Sequence, residues 1–242
     1  MTERESRGAV KSPVEDLLVF SRRAVLAGIN RALEQTPERP SGQASKRASG
    51  KVLEQPSGQS SEQTSKPTVL ALDATAGNGV DTEFLARSVT SSGLVLAFDV
   101  QEEALRKTRE RLDKSTPSLA GRVSLIRDSH ENLDLYLAPY LAAGVRVSAA
   151  MYNLGFLPGG SSPLATLAGA TLASLESLRP YIAPGAVLSI HCYAGHAQGA
   201  EESAAVEAWA VALPWREWRV LRYEFCNKPS NREILFIITN KL

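Results

Sequence analysis

Residues 69–81 read Val-Leu-Ala-Leu-Asp-Ala-Thr-Ala-Gly-Asn-Gly-Val-Asp, and this stretch decides the fold. The apolar run at 69–72 predicts a short buried strand. Gly77 and Gly79 follow within the segment 74–79, the glycine turn, which leads directly into a helix-like segment. Glycine permits positive φ angles and a close approach of the backbone to a ligand. A strand, a glycine turn and a helix N-terminus in this order predict a ligand cradle at the carboxyl edge of a parallel sheet.

Two classes of ligand fit such a cradle, dinucleotides and S-adenosylmethionine. The next predicted strand ends at Asp99, and an acid at that position bonds ribose hydroxyls in nucleotide-binding folds. The dinucleotide fingerprint has a third glycine where Thr82 stands, and the carboxylate of Asp73 would repel a pyrophosphate but suit a cationic amino-acid group. We therefore interpret the turn as a site for S-adenosylmethionine, with a phosphate loop or a plain structural turn as the alternative.

From residue 68 onward, strand-like and helix-like segments alternate, which predicts a parallel α/β sheet. The predicted strands are 69–72, 94–98, 122–126, 145–151, 186–192, 217–225 and 233–239, and the predicted helices are 80–90, 101–114, 131–142, 164–182 and 200–212. The turn at 227–232 is too short for a parallel crossover, so the last two strands must pair antiparallel. This pattern predicts the Rossmann-like, seven-stranded fold of class I S-adenosylmethionine-dependent methyltransferases, mostly parallel with a terminal antiparallel hairpin.

The N-terminal part has a different character. Apolar residues at helical spacing after a capping-box signature predict an amphipathic helix over 13–33, and Arg22 and Arg23 fall off its apolar stripe and are interpreted as solvated. Residues 34–67 are rich in Ser, Gln, Pro, Gly, Glu and Lys and cannot bury enough apolar area to offset their ordering entropy. We predict a helical segment at 1–33, a disordered low-complexity insertion at 34–67 and a methyltransferase domain at 68–242.

Composition limits the partners, the metal content and the cellular location to be expected. Lys and Arg total 27 against 26 Asp and Glu, so the net charge favours neither nucleic acid nor a membrane, and any RNA contact must come from a local patch. Two cysteines cannot form a disulfide framework, and the three histidines lack metal-site spacing, so we expect free thiols and no metal. Without an apolar run of about 20 residues or a signal peptide, no membrane contact and a cytosolic location are expected.

Polar side chains close successive predicted strands: Asp73, Asp99 and Asp128 follow the first three, and Asn153 follows the fourth. Strand ends in such a sheet line one crevice. Asp73 and the glycine turn are predicted to hold the amino-acid end of the cofactor, Asp99 the ribose, and the Asp128 region the adenine. The full predicted cofactor set is Asp73, Thr75, Gly77, Asn78, Gly79, Asp81, Thr82, Asp99, Gln101, Asp128, Ser129, His130 and Asn153.

Three residues are predicted to act on the acceptor side. Asn153 can accept a hydrogen bond from a neutral amine through its side-chain oxygen. Tyr193 and His196 lie on the next strand-end loop, where they could orient a base or relay a proton, although a loop-stabilising His196 fits the sequence equally well. Tyr152 and Phe156 either stack on a base or lie in the core.

Basic and aromatic residues alternate near the C-terminus, a composition that suits single-stranded RNA. An ordinary solvated strand face is the alternative. The residues concerned are Trp215, Arg216, Trp218, Arg219, Arg222, Tyr223, Lys228 and Arg232.

Five blocks, at 73–79, 97–104, 128–133, 151–160 and 193–196, occur in the order found in a known family. From about residue 13 onward, apart from 34–67, the chain resembles the YtqB/MnmM family, whose members have been labelled rRNA methylases. The resemblance implies a Rossmann-like enzyme, often homodimeric, whose cofactor is S-adenosylmethionine and whose partner is the tRNA anticodon loop. Its implied reaction methylates the aminomethyl group of wobble 5-aminomethyl-2-thiouridine, giving 5-methylaminomethyl-2-thiouridine.

The acceptor-side loops depart from the family pattern, which places Asp-Lys where Ser161 and Ser162 stand and His where Val80 stands. Methyl transfer is therefore better supported than the particular acceptor. Two other interpretations stay open: methylation of another RNA, protein or small-molecule amine, and a non-catalytic RNA-binding module.

Overall fold

A seven-stranded sheet is the scaffold of the computed structural model, which describes residues 17–35, 68–115, 117–155, 166–230 and 232–241. Its strands are β1 Leu70–Asp73, β2 Leu94–Phe98, β3 Val123–Ile126, β4 Val147–Leu154, β5 Ile182–Tyr193, β6 Trp218–Glu224 and β7 Glu233–Asn240. Its helices are α1 Leu17–Gln35, α2 Val80–Ser88, α3 Glu102–Lys114, α4 Leu133–Ala142, α5 Ala168–Leu178 and α6 Ala197–Ala212. The strand order is β3-β2-β1-β4-β5-β7-β6, and only the pairs that involve β7 are antiparallel among the described strands.

The central strand β1 decides where the site lies. All four of its residues are buried, because helices cover both faces of the sheet and such strands consist of continuous apolar runs. Asp73, the last residue of β1, pairs in register with Ala97 on β2 and Met151 on β4. The carboxyl ends of these three strands therefore lie side by side.

Alternate residues along each strand serve two different cores. On β4, Tyr152 and Leu154 face the layer formed by α4, α5 and α6. Ala149 and Met151 on the same strand face the layer formed by α1, α2 and α3. This period of two follows from the pleat of the strand.

The predicted fold class is confirmed, but several predicted boundaries were wrong, among them those of β4 and of the helix predicted for 164–182. β4 continues to Leu154, so Asn153 lies within the strand and not after it. The helix predicted for 164–182 ends at Leu178 and is followed by a short 3-10 turn. The next strand, β5, begins at Ile182, and Pro184 and Gly185 lie inside it. Gly185 has φ 74°, and the pairing with β4 shifts register there, so these residues form a bulge, which tolerates proline and glycine.

Helix α1 packs across β4 and β5. The hydroxyls of Ser21 and Ser189 are 2.7 Å apart, and a Cβ on Gly28 would lie 3.0 Å from the Val187 side chain. The predicted helix 13–33 is observed from Leu17 to Gln35, and its first residues lie outside the described part of the chain. The predicted insertion at 34–67 also lies outside it, except for residues 34 and 35, which end α1, so the domain division stays a prediction.

In the described ranges, no helix is both long enough and apolar enough to cross a membrane.

Candidate functional site

The glycine turn is held against helix α3. Gly77 and Gly79 have φ angles of 53° and 76°, in the left-handed region that favours glycine. A Cβ on Gly79 would lie 2.8 Å from the Cα of Thr108, and the Thr108 hydroxyl donates to the Gly77 carbonyl at 3.1 Å. A side chain at Gly79 would therefore push the turn off α3. The turn also places the N-terminus of α2 at the carboxyl edge of the sheet, where free backbone amides favour an anionic group such as an amino-acid carboxylate.

Asp73 lies under this turn and is completely buried. Its carboxyl accepts hydrogen bonds from the Thr75 amide at 3.1 Å and from the Thr82 hydroxyl at 2.6 Å. Burial, followed by the nearby charge of Asp81, raises the pKa of Asp73 to about 7. A bound cation would favour the ionised form of this carboxyl.

Asp99 follows β2 and is connected to the same turn. One carboxyl oxygen accepts from the Gly77 amide and the other from the Gln101 amide, each at 2.9 Å. Burial raises the pKa of Asp99, and the two amide donors oppose that shift. Each carboxyl oxygen retains a further lone pair, so ribose hydroxyls can also donate to it.

Asn153 is held at two points beside this cradle. Its backbone amide donates to the Thr75 hydroxyl, and its side-chain Nδ2 donates to Oδ2 of Asp81, both at 2.7 Å. Arg22 on α1 donates to the other oxygen of Asp81 through Nε at 3.2 Å and Nη2 at 2.9 Å. The interpretation of Arg22 as solvated was wrong. Helical periodicity within α1 carries no information about a partner 59 residues away.

The predicted adenine side forms a separate group on β3 and α4. Asp128 accepts hydrogen bonds from the Ser129 amide, the Asn132 side chain and the Tyr136 hydroxyl, and the bond from Asn132 contributes most to lowering its pKa. His130 is 8% exposed, and burial lowers its pKa to about 4, so the ring is neutral near pH 7.

Tyr152 belongs to the core, as one of the two interpretations allowed. It is 1% exposed, its ring packs edge-on against that of His130, and its hydroxyl lies 2.9 Å from that of Ser174. It therefore offers no face to a substrate base. Phe156 lies outside the described residues.

On the acceptor side, Tyr193 ends β5 and is 41% exposed. Its ring stacks on His191 at 4.5 Å and lies 3.4 Å from a Cβ built on Gly155. His196 is the N-cap of α6, where its Nδ1 accepts from the Gly199 amide at 3.0 Å. The structure thus gives His196 the loop-stabilising role that the sequence left as one of two possibilities.

A buried carboxyl missed by the sequence analysis lies behind the acceptor side. Glu202 on α6 accepts hydrogen bonds at 2.6 Å from the hydroxyls of Thr166 and Thr171. The Thr166 amide in turn donates to the Gly155 carbonyl at 3.3 Å. Glu202 therefore connects the residues that precede α5 to α6. No local signal in the sequence singles out this glutamate.

Most basic side chains of the basic and aromatic segment near the C-terminus contact glutamates or an aromatic ring of this protein. Arg222 forms ion pairs with Glu207 and Glu224, and Arg232 also pairs with Glu224. Lys228 pairs with Glu233. Arg219 lies over the Trp215 ring, 3.3 Å from its centre. These contacts support the interpretation of an ordinary strand face.

A sheet of this strand order, with a glycine turn after β1 and an acid after β2, defines the class I S-adenosylmethionine-dependent methyltransferases. The cradle fits that cofactor, because the ionised form of the Asp73 carboxyl suits its ammonium group and the N-terminus of α2 suits its carboxylate. Asp99 can bond its ribose.

Comparison with known proteins places the chain more closely. The family model described as "Putative rRNA methylase" matches residues 95–239, and the chain belongs to this family. An Arabidopsis thaliana protein named "tRNA (mnm(5)s(2)U34)-methyltransferase, chloroplastic" is 32% identical over 172 residues, which are 69% of this chain and 61% of that protein. The chain thus spans less than two thirds of this relative.

Two solved structures share the fold. The "putative rRNA-methylase" from Clostridium thermocellum has a TM-score of 0.66 and 32% identity, covering 72% of this chain and 90% of its own. A "putative methyltransferase" from Streptococcus mutans in complex with SAH has a TM-score of 0.62 and 31% identity, over the same shares of the two chains. S-adenosylmethionine is the cofactor of class I methyltransferases, the class to which the fold assigns this chain.

Proposed function

We propose that the chain is an N-methyltransferase acting on tRNA, where it methylates the aminomethyl group of wobble 5-aminomethyl-2-thiouridine. The observation that carries the proposal is the double attachment of Asn153 beside the cofactor cradle, through its backbone amide to Thr75 and its side chain to Asp81. The name of the Arabidopsis thaliana relative supports this choice of acceptor. The tRNA anticodon loop as partner, a homodimeric state and a cytosolic location belong to the same proposal.

The chemistry is an in-line displacement. When bound, S-adenosylmethionine supplies an electrophilic methyl group on a sulfonium centre. The acceptor nitrogen forms a bond to the methyl carbon as the carbon–sulfur bond breaks, the electron pair stays on sulfur, and the product ammonium releases one proton to water. Little covalent help is needed, so the contribution of the protein is to position the amine and exclude water.

Asn153 is suited to that task. A carboxylate can only accept hydrogen bonds, so the contact with Asp81 requires the amide nitrogen of Asn153 to face Asp81 and its oxygen to face away. That oxygen can accept a hydrogen bond from an amine N–H and so orient the nitrogen lone pair. The amine must be neutral to react, and free alkylamines are mostly protonated near pH 7. Turnover should therefore rise with pH until the bound amine is deprotonated.

The test is methyl transfer from tritiated S-adenosylmethionine onto three fractions: tRNA carrying the aminomethyl group, the same tRNA lacking it, and a mixture of protein and small-molecule amines. We expect label only in the first, and mass spectrometry of its nucleosides should show one added methyl group on the wobble uridine. Label in another fraction, with none in the aminomethyl tRNA, would contradict the proposal.

A further inference from the structure

Arg22 contacts the site from outside the block of residues that the family pattern marks. Its Nε and Nη2 both donate to Oδ1 of Asp81, while Asn153 donates to Oδ2. The two carboxyl oxygens are therefore divided between a cation on α1 and an amide on β4. A partial rotation of the carboxyl would therefore disturb both contacts together.

The ion pair is well shielded for a contact between two helices. The Asp81 side chain is 8% exposed and that of Arg22 is 29% exposed. The guanidinium carbon also lies 5.2 Å from the ring centre of Phe84, one turn along α2 from Asp81. Arginine suits this position because its planar group can donate twice to a carboxylate and at the same time lie over an aromatic ring.

We propose that Arg22 is a positioning residue for methyl transfer: by fixing the Asp81 carboxylate, it fixes the side-chain amide of Asn153 with its oxygen toward the acceptor amine. The inference rests on the proposed function for the identity of that amine. The backbone of Asn153 is already held by Thr75. The additional effect of Arg22 and Asp81 is to fix the side-chain torsion angles of Asn153. Arg22 itself touches neither the amine nor the methyl group in this proposal.

The first test compares three variants with the same acceptor tRNA. Arg22→Gln should lower kcat by about 10-fold to 100-fold, the scale of a misplaced reacting group, while Kd for S-adenosylmethionine changes less than about threefold. Arg22→Lys should recover part of kcat, because lysine keeps the charge but not the two-donor contact. Arg23→Gln is the matched control, since it removes the neighbouring, exposed arginine of the same helix, and kcat should be unchanged.

A double-mutant cycle shows whether Arg22 acts through Asn153. If it does, Arg22→Gln should cause little further loss of kcat in an Asn153→Ala background, because the group it positions is absent. An equal fold-loss in both backgrounds would overturn the proposal and leave a general structural role.

A measurement without any acceptor separates this inference from the proposed function. In protein labelled with ¹⁵N-asparagine, the side-chain amide signal of Asn153 is identified by its loss in Asn153→Ala. Arg22→Gln should shift that signal and speed its hydrogen exchange, and Arg23→Gln should not. An unchanged signal in Arg22→Gln would overturn the inference. Failure of wild-type protein to methylate tRNA would overturn only the proposed function. Should Arg22→Gln not fold, Arg22→Lys is used in both tests.

Discussion

The cofactor side and the acceptor side of the crevice differ in the sequence separation of the hydrogen bonds that hold them. On the cofactor side, Asp73 bonds residues 2 and 9 positions away, and Asp99 bonds Gly77 across 22 positions. On the acceptor side, Asn153 bonds Asp81 and Thr75 across 72 and 78 positions. The part of the cradle predicted for the amino-acid and ribose ends of the cofactor is therefore encoded within residues 73–101, whereas acceptor orientation depends on contacts between distant parts of the chain.

We expect the largest loss of turnover from a substitution that disturbs the acceptor side alone. Asn153→Ala should lower turnover by about 100-fold or more, because the amine loses the group that orients its lone pair. Cofactor affinity should change little, since Asp73 and Asp99 remain in place. Single-turnover methylation and calorimetric titration measure the two quantities separately.

Asn153→Gln is a useful companion, because it keeps the amide but moves it by one methylene. We expect it to resemble Asn153→Ala in turnover. A large loss of cofactor affinity in either variant would mean that Asn153 belongs to the cofactor side.

A substitution on the cofactor side should instead weaken cofactor binding. Asp99→Ala should weaken S-adenosylmethionine binding by about 1.5–3 kcal/mol, the scale of a hydrogen bond to a charged group. Asp99→Asn is the matched control, because it keeps one acceptor oxygen for Gly77 or Gln101 and should lose less affinity. Calorimetric titration giving wild-type affinity for Asp99→Ala would refute the assignment of the ribose contact.

A smaller effect is expected on the pH dependence of cofactor affinity, through the charge of Asp73. Because the pKa of Asp73 is about 7, its carboxyl becomes ionised as pH rises through neutrality. The ionised form attracts the cationic cofactor, so affinity should rise by roughly tenfold between pH 6 and pH 8. Asp73→Asn should show a flat profile, and proton release on binding, measured in buffers of different ionisation enthalpy, should disappear in that variant.

The same group has the opposite effect on stability. The folded-state pKa of Asp73 lies above the ordinary aspartate value of 3.8, so the folded protein retains this proton at pH values where the unfolded chain has lost it. The contribution is fully present below about pH 4 and is lost as pH rises to about 7. Without cofactor, the free energy of unfolding of wild type should fall relative to that of Asp73→Asn over this range. Parallel curves in denaturant titrations would contradict the raised pKa.

The range of the contacts also explains what the sequence could predict. β2 was predicted with its observed limits, because its apolar run is bounded by Gly93 and Asp99. The acids at the ends of β1 and β2 could be placed beside the same glycine turn, because parallel strands bring their carboxyl ends to one edge. Both inferences need only local pattern and a general rule of topology.

The remaining features required information from distant parts of the chain. Pro184 and Gly185 have the composition of a loop, and only the pairing of β5 with β4 reveals a bulge inside a strand. Tyr152 could not be assigned from its pattern, because both faces of β4 are covered. Arg22 was missed because its partner is on another helix.

Substitutions of His196 test whether this residue relays a proton in addition to capping α6, and we expect only a small effect, on stability. His196→Ala removes the side-chain acceptor for the Gly199 amide and should cost about 1 kcal/mol of stability, the typical value for a lost N-cap. His196→Asn should cost much less, because asparagine is among the best N-cap residues. If His196 only caps α6, turnover at saturating substrates should be the same in wild type and both variants, and only the melting temperature of His196→Ala should fall. If it relays a proton, both variants should lose turnover to a similar extent, since neither side chain titrates near neutral pH. Comparing turnover in His196→Asn with that of wild type therefore separates the two roles without interference from helix stability.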